Sequence, residues 1–148
     1  MSDLQVRRKE WLGLLARSSA ADVANGWRAL GLVQKHTVLR APEIGGVMVR
    51  GRAGAVGAPF NLGEMTVTRA SVKLPCGTVG HGYVQGRSKD HALHAAVIDA
   101  LMQTDEADRI DAELLTALRD AKVAVMSKRA AKAAATKVDF FTMVRGED

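Results

Sequence analysis

The chain has 148 residues, 47% of them hydrophobic and 25% charged, which is the composition of one globular domain with its own core. A single cysteine excludes an intramolecular disulfide, and it excludes an iron–sulfur cluster carried by this chain alone. The net charge of +5 favours contact with anions such as phosphorylated metabolites, nucleic acid or acidic protein surfaces. The charged N-terminus has no signal-peptide pattern, and no stretch approaches the roughly 20 apolar residues of a membrane span. We therefore expect a cytoplasmic protein.

Two amphipathic helices are predicted at the N-terminus. The first covers SDLQVRRKEWLGLLARS, in which apolar residues recur at helical spacing. Ser19 is the predicted N-cap of the second helix, and Gly31 its C-terminal stop. We interpret Trp11 and Trp27 as core anchors between these helices rather than as residues that stack on a ligand.

The middle of the chain predicts strands. The segments LVQKHTVLR and GVMVRGRAG read as strands joined by a turn at APEIGG, and VGHGYVQG reads as the last strand. GEMTVTRASVKL is the clearest strand, because its residues alternate between an apolar face and a face that carries Arg69 and Lys73. Together they predict an antiparallel meander of about four strands.

Helical periodicity returns after this sheet. Ser88 is the predicted N-cap of a helix over KDHALHAAVIDALMQT, and a further helix runs from about Asp105 into an Ala/Lys-rich segment that has little to bury and that we expect to project. The predicted fold is α+β, with a small antiparallel sheet of about four strands flanked by N-terminal helices and long C-terminal helices. We predict a single domain over residues 1–148.

Two segments are candidates for anion binding. In YVQGRSKDH, a strand leads through glycine and a serine cap into a helix N-terminus, where free amides and the helix dipole favour an anion. In VRGRAGAVGAPFNLG, Arg50 and Arg52 alternate with glycines but match no phosphate-loop motif. The alternatives are a capped turn and a hairpin loop, each with solvated charges. The residues expected to meet at the first segment are Arg69, Gln85, Arg87, Ser88, Lys89 and His91.

Catalytic and metal patterns are weak. His91 and His94 have the i, i+3 spacing of a shared helix face, but HALH lacks the spacing and the glutamate of the HExxH motif. We predict no metal site. Cys76 is interpreted as a small turn residue. The spacing of the carboxylates Glu43, Glu64 and Asp99 indicates no catalytic site.

The C-terminal segment KVDFFTMVRGED is unusually apolar for a chain end. It places Phe140 and Phe141 side by side, using two of the chain's three phenylalanines. We predict that residues 138–148 form a tail that docks on a partner, and the alternative is that it folds back on this chain's own sheet. The docking residues are predicted to be Asp139, Phe140, Phe141, Met143 and Arg145.

Several of these segments together resemble the PhnG family, the G subunit of bacterial carbon–phosphorus lyase. The resemblance lies in RKEWLGLLA, RAGAVGAPFNLGE, TVTRASVKL, GYVQGRSKDHALHAAVIDALMQ and VDFFTMVRGED, in that order. It covers essentially the whole chain, and VQGR and VDFFTMVRG are its most specific parts. The segment from about Thr104 to Thr136 matches only in its helical, alanine-rich character.

The resemblance implies a role in the use of phosphonates as a phosphorus source. Proteins of this family belong to a core complex with PhnH, PhnI and PhnJ. With PhnH, PhnI and PhnL they support displacement of adenine from ATP by methylphosphonate, giving α-D-ribose 1-methylphosphonate 5-triphosphate. The nucleosidase chemistry is attributed to PhnI and the later radical cleavage to PhnJ. The expected role is thus a required accessory subunit that binds no cofactor of its own, with ATP and methylphosphonate as substrates of the complex.

Two other functions fit parts of the sequence. A basic nucleic-acid-binding module would grip phosphates through VRGRAG and the lysine-rich helix, but the sequence lacks the interleaved aromatics that stack on single-stranded bases. A metal-dependent hydrolase would use His81, His91 and His94. The sequence favours the accessory subunit over both.

Overall fold

The computed structural model describes residues 3–54 and 56–137, and over these ranges the fold is α+β as predicted. Helices flank one antiparallel sheet, and a long helix ends the described part of the chain. The elements are α1 (Asp3–Arg17), α2 (Ala20–Leu30), β1 (Thr37–Arg52), β2 (Pro59–Lys73), β3 (Val79–Gln85), α3 (Lys89–Leu101), α4 (Ala107–Ile110), a π-helical turn (Asp111–Leu115) and α5 (Thr116–Ala135).

The sheet has three strands in the order β1-β2-β3, so the prediction of about four was one too many. The segment APEIGG is not a turn: it continues β1, with Glu43 opposite Arg69 and Ile44 opposite Thr68. Register shifts on either side of Arg40 accommodate Pro42. Because β1 is an edge strand, the N–H that proline lacks is not needed by a neighbour.

The helix α3 packs directly on β3. A side chain at Gly82 would collide with the backbone of Ala92, and one at Gly80 would lie 2.7 Å from the Cβ of Ala100. Glycines on the strand and alanines on the helix therefore let the two backbones approach closely. The buried core around this contact is aliphatic apart from Trp11.

Local signals at the helix ends are confirmed. The Ser19 hydroxyl accepts the N–H of Asp22 at 3.0 Å, and the Ser88 hydroxyl accepts the N–H of His91 at 3.2 Å. Gly31 ends α2 in the left-handed region, at φ 62°. These three residues fix where α2 begins, where it ends and where α3 begins.

Two parts of the structure extend beyond this core. From Gly46 opposite Thr66 to Arg52 opposite Pro59, β1 and β2 pair only with each other, because β3 pairs with β2 only between Val67 and Lys73. We call this extension, with Ile44 and Gly45 at its base, the arm. In α5, only Leu118 is buried, and residues 119–137 are all exposed, so this helix projects as its composition predicted.

Candidate functional site

One face of the sheet is polar and open to solvent. Alternate side chains of β2 and β3 point away from the helices, while the intervening Ala70, Val72, Gly80, Gly82 and Val84 are buried on the helix side. Among its cations, Arg40 and Arg69 share the carboxylate of Glu43, and Lys73 has no ion pair among the described residues. We call it the open face, and its polar residues are Arg40, Glu43, Arg69, Ser71, Lys73, His81, Tyr83 and Gln85.

Glu43 organises the cations at one side of the open face. Its carboxylate lies 3.2 Å from the guanidinium of Arg69 and 3.6 Å from that of Arg40. All three side chains are about half exposed, so these ion pairs orient the groups rather than stabilise the fold appreciably. One carboxylate shared between two arginines leaves a net positive site, which suits an anion.

Ser71 and His81 form a second pair on the open face. The Ser71 hydroxyl lies 2.9 Å from Nδ1 of His81 on the neighbouring strand. Nucleophilic catalysis by such a pair requires a group that orients the imidazole. The described residues provide no hydrogen bond to the other ring nitrogen of His81; the side chain of His81 is exposed and Ser71 is partly exposed. The pair is therefore suited to polar recognition and lacks the parts of a catalytic triad.

The structure separates the residues that the sequence grouped into one anion site. Arg69 and Gln85 lie on the open face. Arg87 lies in the turn between β3 and α3, where it lines a shallow cavity of 360 Å³ together with Ile44 and Glu64. These three predicted contact residues are all exposed, two on the sheet and one in the turn that follows it.

His91 lies in the core, with 3% of its surface exposed. Its Nε2 lies 2.9 Å from the carbonyl of Leu15, and because a carbonyl only accepts, Nε2 carries the proton. Leu15 is in the last turn of α1, where carbonyls lack helical partners, so His91 satisfies one of them. Burial lowers the pKa of His91, and the bond to Leu15 opposes that shift only in part. Its ring does not reach the surface anion site.

Sequence reasoning missed the most elaborate polar cluster, which surrounds Asp99. Its carboxylate is fully buried and accepts four hydrogen bonds: from Nε and Nη2 of Arg8 at 3.0 and 2.6 Å, from the indole of Trp11 at 2.8 Å, and from the backbone N–H of His81 at 2.8 Å. The cluster therefore ties α1, α3 and β3 together. Its signal in the sequence was a single carboxylate within the apolar run AAVIDALM.

Neither the histidines nor the cysteine form a metal centre among the described residues, which contain no group of three or more His, Cys, Asp or Glu that could hold a metal ion. His94 packs against Trp27 with ring centroids 6.3 Å apart, and burial lowers its pKa. Cys76 is an exposed turn residue, as expected, and its bond to the Thr78 hydroxyl lowers the pKa of the thiol.

The glycine-rich loop is the tip of the arm. Arg50 and Arg52 are near the end of β1, and the backbone N–H of Gly57 bonds to the carbonyl of Ala53 at 3.2 Å, so this amide is not free to bind phosphate. The tail residues Asp139, Phe140, Phe141, Met143 and Arg145 lie outside the described residues.

No helix within residues 3–54 and 56–137 is long and apolar enough to cross a membrane. The sequence model of the family described as "Phosphonate metabolism protein PhnG" matches residues 6–146. A curated relative from Rhizobium meliloti (strain 1021) is 46% identical over 143 residues, which is 96% of this chain and 91% of the relative. That relative is named alpha-D-ribose 1-methylphosphonate 5-triphosphate synthase subunit PhnG. The match to the family model and the match to this relative each span nearly the whole chain, and the chain therefore belongs to the PhnG family.

Proposed function

We propose that this chain is an accessory subunit of a synthase that makes α-D-ribose 1-methylphosphonate 5-triphosphate in phosphonate catabolism. The observation that carries the proposal is the similarity to the Rhizobium meliloti subunit of that name, at 46% identity over 96% of the chain. Identity at this level over the whole length supports a shared role as well as a shared fold.

The chain is proposed to be non-catalytic by itself. The charged group that is most deeply buried, Asp99, already accepts four hydrogen bonds, and the buried His91 is bonded to Leu15. The titratable side chains of the open face are exposed to solvent and do not lie in an enclosed pocket of the kind that catalytic groups occupy. The proposed partners are PhnH, PhnI and PhnJ in a hetero-oligomer, with PhnL acting functionally. The substrates of this complex would be ATP and methylphosphonate, and this chain is proposed to bind no cofactor.

A contact between this subunit and the anionic substrates is proposed at a subunit boundary. Arg69 with Gln85 on the open face, and Arg87 beside the 360 Å³ cavity, are the exposed groups that support it. Guanidinium groups bind phosphate and phosphonate oxygens through paired charge-assisted hydrogen bonds. His91 is left out of this proposal because its ring lies in the core.

The C-terminal segment 138–148 is proposed to dock on a partner subunit. Two phenylalanines buried in a partner pocket would contribute roughly 3–6 kcal/mol before the cost of ordering the segment. The same segment carries Asp139 and Arg145, which are able to orient it by charge.

Co-expression with PhnH, PhnI, PhnJ and PhnL tests the proposal. We expect the chain to co-purify in one complex by size-exclusion chromatography, and we expect adenine release from ATP and methylphosphonate to require it. Within that complex, Arg87→Ala should slow adenine release without dissociating the subunits. Lys128→Ala, which also removes one exposed positive charge but lies on the projecting helix, is the matched control. Equal adenine release with and without this chain would show that the proposed function is wrong.

A further inference from the structure

We infer that the arm, residues 44–52 and 59–66, packs its apolar face on an apolar surface of a partner subunit that has carboxylates beside it. This inference rests on the proposed function, because it requires that the chain works in a hetero-oligomer. It concerns a surface built from the described residues. The apolar face, the backbone edges and the charge distribution support it independently.

The arm lacks the support that a ribbon of this kind needs. β3 reaches only to Gln85, opposite Val67, and the N–H of Gly86 bonds to the carbonyl of Thr66 at 3.0 Å, so both strands of the arm have an unpaired edge beyond Thr66 among the described residues. A two-stranded ribbon alone is marginally stable in water, and unpaired edges attract further chains. The arm is therefore expected to gain order and pairing from a binding partner.

One face of the arm is apolar and the other is mixed. Ile44 and Met48 lie on the helix-side face together with Thr66 and Glu64, and Met48 is 60% exposed. On the other face, Leu62 packs beside Gly51 and is 66% exposed.

Further apolar residues add to that second face. Val47 and Val49 follow the alternation of β1 that leads to Gly51, and both are partly exposed. A ribbon whose two faces differ in this way buries its apolar face and leaves the polar one to solvent. The apolar face of the arm is therefore suited to contact with an apolar surface of a partner.

Charge at the tip indicates the chemistry of the partner surface. Residues 45–63 contain Arg50 and Arg52 and no Asp or Glu. Neither arginine has an ion-pair partner among the described residues, and both are exposed. Carboxylates on the partner surface would pair with them. A nucleic acid offers no apolar surface for Val47 and Leu62, and binding to a second copy of this chain is an outcome that the test distinguishes.

The test substitutes one exposed apolar residue on each face. Met48→Lys with Leu62→Lys removes the apolar contacts at positions that solvent already reaches, so the isolated subunit should keep the wild-type circular dichroism spectrum. Val33→Lys, at a residue that is 97% exposed in the loop before β1, is the matched control. Assembly is measured by binding of each purified variant to the complex of PhnH, PhnI and PhnJ. We expect the double variant to bind about 100-fold more weakly, because central apolar contacts dominate interface affinity, and the control to bind as wild type.

The arginines are tested in the same assay. Arg50→Gln with Arg52→Gln should weaken binding about tenfold at low ionic strength and reduce its dependence on salt. Amide hydrogen exchange of residues 44–52 and 59–66 should slow at least tenfold on assembly.

Each contrary outcome is distinct. If the wild-type chain does not assemble with these subunits, the proposed function is wrong and this inference is wrong with it. If the wild type and the Met48/Leu62 double variant assemble equally well, only the inference about the arm is wrong. A wild-type dimer that this double variant converts to monomer would identify a second copy as the occupant. Salt-sensitive binding of the wild type to DNA or RNA that is lost in the arginine variant would identify a nucleic acid instead.

Discussion

Replacing Asp99 with asparagine should destabilise the fold severely while barely changing its volume. Oδ1 accepts from Nε of Arg8 and from Trp11, and Oδ2 accepts from Nη2 of Arg8 and from the backbone of His81. An asparagine retains one of these acceptors and replaces the other with an NH2 group. Whichever way the amide turns, that NH2 group faces two donors, so two hydrogen bonds are lost and the donors are left unpaired.

The magnitude follows from the geometry of these bonds. A hydrogen bond to a charged group contributes about 1.5–3 kcal/mol, so two lost bonds correspond to roughly 3–6 kcal/mol. The side chain of Arg8 is 28% exposed and recovers some solvation, which lowers its share. We therefore expect the free energy of unfolding to fall by about 3–5 kcal/mol in Asp99→Asn, the range found when one partner of a buried pair is removed. That is a large part of the roughly 5–15 kcal/mol that stabilises a typical domain.

Urea unfolding followed by circular dichroism measures this loss. Asp108→Asn, at an exposed residue of α4, is the matched control and should change the free energy of unfolding by less than about 0.5 kcal/mol. A loss below about 1 kcal/mol in Asp99→Asn would refute the reasoning, because it would mean that the four bonds add almost nothing beyond what water provides in the unfolded chain.

The remaining predictions concern pH, packing and the C-terminal segment. Burial lowers the pKa of His91 below its ordinary value of 6.5, so at acidic pH the unfolded chain binds more protons than the folded chain. The contribution of His91 to the free energy of unfolding should therefore be fully present above pH 6.5 and decrease as the pH falls below it. His91→Gln should flatten this dependence on pH in urea titrations. Gly82→Ala should cost about 3 kcal/mol in the free energy of unfolding because its Cβ would collide with the backbone of α3, whereas Gly63→Ala, with open space around it, should be nearly neutral. Phe140→Ala with Phe141→Ala should abolish co-purification with PhnI and leave the circular dichroism spectrum unchanged; unfolding of this variant would instead show that the pair belongs to the core.

Sequence reasoning succeeded where structure is decided locally. Ser19, Gly31 and Ser88 act within one helical turn, so their caps were readable from neighbouring residues. It failed at APEIGG, where proline and two glycines suggested a turn. There the pairing of Glu43 and Ile44 with β2 outweighs local preference, and a bulge accommodates the proline.

The site was less predictable because its groups are far apart in sequence. Arg8 and Asp99 are 91 residues apart, and no spacing rule connects them before the fold is known. His91 was assigned to the helix N-terminus, although it is one turn before Ala95 and two turns before Ile98, both of which are buried. Its position on that helical stripe determines where the ring points, and this outweighs its closeness to Ser88 and Lys89.

The structure separates the residues that stabilise the fold from those proposed to bind partners. The Asp99 cluster joins α1, α3 and β3, and none of its hydrogen bonds reaches residues 44–52 or 59–66. Substitutions without shared partners have additive effects on stability. Adding Asp99→Asn to the arm variant should therefore lower the free energy of unfolding by the same amount as in the wild type. A coupling above about 0.5 kcal/mol between the two sites would mean that the arm is part of the cooperative core, and its substitutions could not then report on assembly alone.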